Sequence, residues 1–180
     1  MSRAFTLIEL LTVLTIVGLL AFLTASAIES ISFNAKTWLE PKRLFSLIQQ
    51  TRSLAISNEQ DAVLCPSTNT YVCVTDWGLP IIQFLDINNN KKRDLGEPLI
   101  SRSIPYQNIQ RQIQYPRSQI RFDREGQING YTGTLKYCTN DQTTGIVLSR
   151  VGRIRYAQDL DGDGIPDIEP NKPVICTTNL

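Results

Sequence analysis

Histidine is absent from this 180-residue chain, and methionine occurs only once. Without histidine the chain has no imidazole to act as general base beside a nucleophile or to bind a metal. No other nucleophile–base arrangement stands out, so the sequence gives no support for an enzyme. The net charge is only +1, which removes any bulk electrostatic argument for a nucleic-acid partner.

Cysteine is scarce, and the four that occur form no CxxC pair: Cys65, Cys73, Cys138 and Cys176. A structural zinc site would need all four as thiolates at an unusual spacing. An even number of cysteines beyond a membrane segment instead favours an oxidising compartment and two disulfides. Four cysteines allow three pairings, and we expect a short loop closed by Cys65–Cys73 and a C-terminus tied down by Cys138–Cys176.

One long apolar run, Phe5–Ile28, stands near the N-terminus and contains a single carboxylate, Glu9. A helix of this length would reach about 36 Å, enough to span a bilayer. A secretory signal peptide is the alternative, since "TASA" offers a small-residue cleavage site, but a carboxylate in the first turn is not typical of one. An unpaired Glu9 at membrane depth would cost about 2.5–3.5 kcal/mol. A chain cut between Ala4 and Phe5 would supply a new α-amino group that can pair with Glu9, within one helix or between neighbours in an array.

The stretch "AFTLIEL" resembles the class III prepilin signal of type IV pilins and type II secretion pseudopilins. The resemblance implies cleavage after Ala4 and methylation of the new N-terminal Phe5 by a prepilin peptidase/methyltransferase. It also implies that Glu9, the fifth mature residue, guides docking into a filament. The family usually has glycine before the cut, where this chain has Ala4.

Beyond the apolar run the pattern predicts a continued helix and then a β-rich region. Helical spacing of apolar residues continues to about residue 57, and Pro41 predicts a kink or a restart. Trp38 is expected to pack on its own domain, with an interfacial anchor as the alternative. From Gln60 onward short apolar runs alternate with turn signals. The candidate strands are "DAVLC", "PIIQFLDI", "EPLISRSI", "SQIRFD", "TLKYC" and "TGIVLSRVGRIRYA".

Three further stretches resemble, in order, the GspH/FimT family of minor pilins and pseudopilins: "QQTRSLAISNEQDAVLCPS", "DW…QFLDINNNKKRDLGEPLI" and "LSRVGRIRY". The resemblance implies an α+β, type IV pilin-like fold, with a long N-terminal helix packed on an antiparallel β-sheet head. It divides the chain into a cleaved leader (1–4), a transmembrane and filament-core helix (5–28) and a periplasmic head (29–180). The head would hold a helix at 29–57 and a β-rich part at 60–180.

An arginine motif lies in the basic middle of the chain, where residues 91–155 hold twelve lysines and arginines against five acidic residues. Gly152, Arg153 and Arg155 match the GRxR sequence that FimT-type members use to bind DNA, and Arg150 precedes it. In a strand, Arg153 and Arg155 would face the same side and suit phosphate or carboxylate binding. The alternative is an intramolecular or subunit contact.

Two polar loops have the spacing of calcium ligands. In "DLDGDGIPD", Asp159, Asp161, Asp163 and Asp167 occupy positions 1, 3, 5 and 9 of an EF-hand-like loop, with glycine at position 6. The alternatives there are a calcium site and an exposed acidic turn. The loop 86–97 has similar spacing, but a lysine replaces the glycine and three cations follow each other, which favours a polar hairpin.

The leading hypothesis is therefore a structural protein without a cofactor, calcium at 159–167 aside. It would be a single-pass inner-membrane minor pilin or pseudopilin that joins or primes assembly of a type IV pilus or a type II secretion pseudopilus. Its partners would be other major and minor pilins. A FimT-like DNA-binding pilin that serves DNA uptake is the alternative.

Overall fold

The computed structural model describes residues 6–106, 111–139 and 143–177, with the side chains of residues 22–37 outside the description. One helix, α1 (Leu7–Asn58), lies in this part of the chain and precedes all the strands. The strands are β1 (Asp61–Pro66), β2 (Ile81–Asp86), β3 (Leu99–Ser103), β4 (Gln112–Gln114), β5 (Ile120–Phe122), β6 (Gly133–Cys138), β7 (Thr143–Leu148), β8 (Ile154–Tyr156), β9 (Asp167–Glu169) and β10 (Lys172–Pro173).

The helix belongs to two compact units, with the boundary between Trp38 and Leu39. The helix continues across Pro41, so the restart is wrong and the alternative, a kink, stays a prediction. Proline removes a single N–H, and the turns on either side retain theirs. The expected packing of Trp38 is also wrong, because its side chain is 62% exposed. The buried apolar side chains of the helix in the second unit begin with Leu44, Leu47 and Ile48, at helical spacing.

Two four-stranded antiparallel sheets form the β-rich part, in the orders β3-β2-β1-β5 and β4-β6-β7-β8, and β9 pairs with β10. Five of the predicted runs coincide with strands. The sixth, 144–157, was expected as one strand but forms most of β7 and all of β8, two antiparallel strands joined by a turn. The chain reverses there because Gly152 adopts a φ of 77°, and the Gly152 N–H donates to the Ser149 carbonyl at 3.0 Å.

The main core lies between α1 and both larger sheets. Leu44, Ile48 and Ala55 of the helix are fully buried in one cluster with Leu64 of β1 and Leu135 of β6. The α+β class, with a helix packed on antiparallel sheets, is therefore as predicted. Burying such side chains contributes about 1.5–3 kcal/mol each relative to exposure.

One buried polar residue joins the helix to the first sheet. Gln83 of β2 donates from Nε2 to the Leu47 carbonyl and to the Thr51 hydroxyl, both at 2.9 Å, and accepts from the Ser101 hydroxyl. These bonds satisfy an amide that would otherwise be costly to bury. They also fix the register of the helix against β2.

Both expected disulfides are present: Cys65–Cys73 and Cys138–Cys176. The first closes a loop directly after β1, and its Cys65 belongs to a second buried cluster on the other face of the first sheet, with Val63, Ile82 and Phe84. The second disulfide joins the end of β6 to the C-terminal segment. The cysteine pairing predicted from sequence is confirmed.

Candidate functional site

The first part of α1 presents an exposed apolar surface that contains one carboxylate. Large side chains from Leu7 to Leu20 are between 50% and 78% exposed. Glu9 lies in the first turn and is also exposed; its N–H donates to the Thr6 hydroxyl at 3.4 Å. Ala4 and Phe5, the expected processing site, lie outside the described residues. Within the described part of the chain, no helix is long and apolar enough to cross a membrane.

The arginine motif lies partly in the turn between β7 and β8 and partly in β8. Arg153 lies in the turn before β8 and is exposed, as is Arg150 on the other side of the turn. Arg155 lies within β8 and is half-buried, and its guanidinium donates to the main-chain carbonyls of Tyr156 and Ile168. That Arg153 and Arg155 face the same side stays a prediction, since of the two only Arg155 lies within β8. Arg155 thus makes intramolecular contacts, whereas the side chains of Arg150 and Arg153 are exposed.

Gly152 of this motif is buried against a second turn. The Ile128 N–H donates to the Arg150 carbonyl at 2.8 Å, and Arg52 donates from Nε to the Gly126 carbonyl at 3.0 Å. The first bond joins the turn at 149–153 to Ile128, and the second joins α1 to the turn at 123–126. The sequence gives no direct signal for Arg52, although it lies on the helix in the resemblance to the GspH/FimT family.

A surface groove of about 620 Å³ runs between α1 and the same turn. Arg52 and Ile56 line its helical side, and Val151 and Arg153 line the other. Ile56 and Val151 are 47% and 67% exposed. The groove therefore combines exposed apolar and basic side chains beside the arginine motif.

The family model "Type II transport protein GspH" matches residues 42–152, more than half of the chain. The chain belongs to the GspH family. Family and fold together indicate a type IV minor pilin or pseudopilin, and such pilins are structural proteins that associate with other pilins. The residues matched include Gly152 and end there.

Solved structures similar to this GspH-family chain include two crystal forms of the type IV minor pilin FimU from Pseudomonas aeruginosa strain PAO1. The P21 form is 14% identical, with a TM-score of 0.50, over 71% of this chain and 89% of that one. The P65 form is 13% identical, with a TM-score of 0.49, over 69% and 92%. At this identity the likeness concerns the fold. No curated protein matches the chain.

The acidic loop of this GspH-family chain follows the matched residues. It joins β8 to β9, and carboxylate oxygens of Asp159, Asp161 and Asp167 lie within 4.8 Å of one another. Asp163, the expected ligand at position 5, is not in this group, and its Oδ1 accepts from the Ile165 N–H at 2.7 Å. The fold thus brings together three of the four residues that the spacing predicted.

Main-chain N–H groups hold the loop in shape. Asp159 accepts from the N–H groups of Gly162 and Gly164 at 2.7 and 3.0 Å, and these bonds lower the pKa of the Asp159 carboxyl. Gly164, at position 6, has a φ of 85°. A left-handed residue at this position gives the sharp turn that calcium loops need.

The loop 86–97 is organised differently. Glu97 is buried and accepts from the Ile87 and Asp94 N–H groups at 2.8 and 2.9 Å. Asp86 accepts from the Lys91 N–H at 3.0 Å and pairs with Arg121 at 3.2 Å, while burial raises the pKa of its carboxyl. These carboxylates are engaged with the loop and with Arg121, as the polar-hairpin interpretation expects. Sequence reasoning missed Arg121, which carries no motif.

Proposed function

We propose that this chain is a minor pilin or pseudopilin subunit that joins or primes filament assembly. In this proposal prepilin peptidase/methyltransferase cleaves after Ala4 and methylates Phe5. The mature chain is then held in the inner membrane with its head in the periplasm, and leaves the membrane when it enters a type IV pilus or a type II secretion pseudopilus.

The observation that carries the proposal is the exposed apolar surface of α1 with its single carboxylate. Contiguous exposed apolar patches of this kind mark surfaces that bind a membrane or another protein. Lipid would cover Leu7–Leu20 before assembly, and neighbouring pilin helices would cover it afterwards. The free-energy cost of placing the Glu9 carboxylate in lipid would fall when the α-amino group of a neighbouring subunit pairs with it. The pairing would therefore favour assembly.

Glu9→Ala tests this proposal, with Glu29→Ala as the matched control. Glu29 follows the apolar run on the same helix, so both variants lose one carboxylate. The Glu9 variant should stay in the membrane fraction in normal amount but be missing from sheared filaments. The Glu29 variant should enter filaments like the wild type. Normal incorporation of the Glu9 variant would contradict the pairing role.

DNA binding is a second candidate function, favoured by the exposure of Arg150 and Arg153. Labelled duplex DNA would be titrated with the full chain in detergent micelles across a salt series. The Arg150→Ala/Arg153→Ala variant should weaken binding and reduce the dependence of affinity on salt by about one phosphate contact per arginine. Arg102→Ala/Arg117→Ala, two exposed arginines elsewhere on the head, removes the same charge as the control. Equal binding by both variants, or none by the wild type, would contradict a DNA-binding site at the motif.

A further inference from the structure

We propose that the loop between β8 and β9 binds one Ca²⁺ ion through Asp159, Asp161 and Asp167. The loop lies beyond the residues that the GspH family model matches, so the family does not account for it. The calcium proposal goes beyond the filament role and does not depend on it.

The burial of Asp167 favours a calcium site over an exposed acidic turn. The residue is only 1% exposed, and its Oδ2 accepts from the Leu160 N–H at 2.9 Å. Within the described part of the chain, its Oδ1 is buried and has no hydrogen-bond partner. A buried carboxylate oxygen without a partner destabilises the fold, because it has lost its hydrogen bonds to water and no other interaction replaces them. A bound cation shared with Asp159 and Asp161 would supply the missing interaction.

Among the residues that the structure describes, no positive side chain neutralises these carboxylates. In the described residues, no lysine or arginine forms an ion pair with any of the three aspartates. Arg155 donates to main-chain carbonyls, and Lys172 lies 3.7 Å from Glu169. Three carboxylates within 4.8 Å therefore repel one another unless a cation lies among them.

The donor set favours calcium over softer metals. All three ligands are carboxylates, the chain contains no histidine, and its four cysteines are joined in disulfides. Hard oxygen donors suit Ca²⁺ and Mg²⁺, and Ca²⁺ accepts the irregular coordination of a loop better than Mg²⁺, which requires nearly ideal octahedral geometry. Water and main-chain oxygen would complete the shell. Position 12 is Pro170 where EF-hands have a bidentate glutamate, so we expect the weak affinity of extracellular modules, about 10⁻⁴–10⁻³ M.

The ion would stabilise the C-terminal segment by joining the loop to β9. Asp159 and Asp161 are in the loop, Asp167 begins β9, and Gln158 and Asp167 already form an isolated bridge. An ion on the three carboxylates would link the two ends of the loop across this bridge. Calcium would therefore stabilise the segment that also carries Cys176.

The test is calorimetric titration of the oxidised full chain in detergent micelles after removal of metals with EDTA. The Asp161→Asn variant removes one negative charge from an exposed ligand while its side-chain oxygen still accepts from the Asp163 N–H, so folding should be unaffected. Glu169→Gln removes one charge from an exposed residue outside the group and is the matched control. Ca²⁺ should bind the wild type and the control at one site, and the Asp161 variant at least tenfold more weakly.

Thermal midpoints give a second readout with separate ions. Millimolar Ca²⁺ should raise the midpoint of the wild type and the control by several degrees relative to EDTA, and Mg²⁺ at the same concentration should raise it less. Absence of saturable Ca²⁺ binding, equal binding by the Asp161 variant, or an equal effect of Mg²⁺ would overturn the assignment. Normal filament incorporation of the Glu9 variant would contradict the proposed role of Glu9 but would leave the calcium assignment unchanged.

Discussion

The carbonyl oxygen of Gly126 lies 1.8 Å from the position that a Cβ atom on Gly152 would occupy. No real side chain fits at that distance from main chain. Gly152 also has a φ of 77°, a conformation that other residues adopt at a cost. The glycine of the GRxR motif is thus required by the contact between two turns, whatever the arginines bind.

Gly152→Ala should therefore destabilise the head strongly. Left-handed backbone alone costs an alanine about 1–2 kcal/mol. The contact with Gly126 adds to this, because main chain must shift, and we expect a total loss of at least about 3 kcal/mol. Thermal unfolding of the full chain in micelles measures the effect.

Gly130→Ala is the matched control for this prediction. Gly130 has a φ of 79°, but among the described residues no atom beyond its chain neighbours lies within 4 Å of its Cβ position. It should show the conformational cost alone. Equal losses in the two variants would mean that the turn at 123–126 can move and that the contact is not specific.

Much of the fold could be predicted from local patterns. Alternating and continuous apolar runs predicted β1, β2 and β6, because the residues that must be buried are adjacent in sequence. The positions that could not be predicted depend on contacts distant in sequence. Gly152, where one apolar run divides into two strands, lies against Gly126, and Trp38 is exposed although its spacing fits the helix.

In the candidate sites too, the features set by neighbouring residues could be predicted, and those that depend on contacts distant in sequence could not. The spacing of the acidic loop identified Asp159, Asp161 and Asp167, since ligands within nine residues are placed by the loop itself. Spacing could not show that Asp167 is buried, which depends on β9. It also could not show the partner of Arg155, because the Ile168 carbonyl to which Arg155 donates lies 13 residues further along the chain.

The two disulfides should contribute unequally to stability. They join residues separated by 8 and 38 positions. The chain-entropy relation gives about 2.5 kcal/mol for the shorter loop and about 4 kcal/mol for the longer one. Cys138→Ser/Cys176→Ser should therefore lower the thermal midpoint more than Cys65→Ser/Cys73→Ser.

Reduction of the wild type provides the control for this comparison. It should lower the midpoint by at least as much as the Cys138/Cys176 variant, and reduction should have little further effect on a variant that lacks all four cysteines. An unchanged midpoint on reduction would contradict a structural role for either bond.

Two buried tyrosines should respond oppositely to loss of the hydroxyl. Within the described residues, the Tyr137 hydroxyl has no hydrogen-bond partner, whereas the Tyr115 hydroxyl donates to the Tyr131 carbonyl. Tyr137→Phe should leave the free energy of unfolding unchanged or raise it by up to about 1 kcal/mol, because a buried group without a partner is removed. Tyr115→Phe should lower it by about 1 kcal/mol.

The pH dependence provides an independent check on Tyr137. Burial, with the nearby charge of Glu40, raises the pKa of Tyr137 from 10.0 to about 12. Because the folded state resists ionisation, this contribution to stability is complete below pH 10 and is lost as the pH rises through 12. Urea unfolding at pH 8 and pH 11 should therefore show a smaller loss of stability for Tyr137→Phe than for the wild type. Equal losses in the two proteins would mean that Tyr137 reaches water in the folded state.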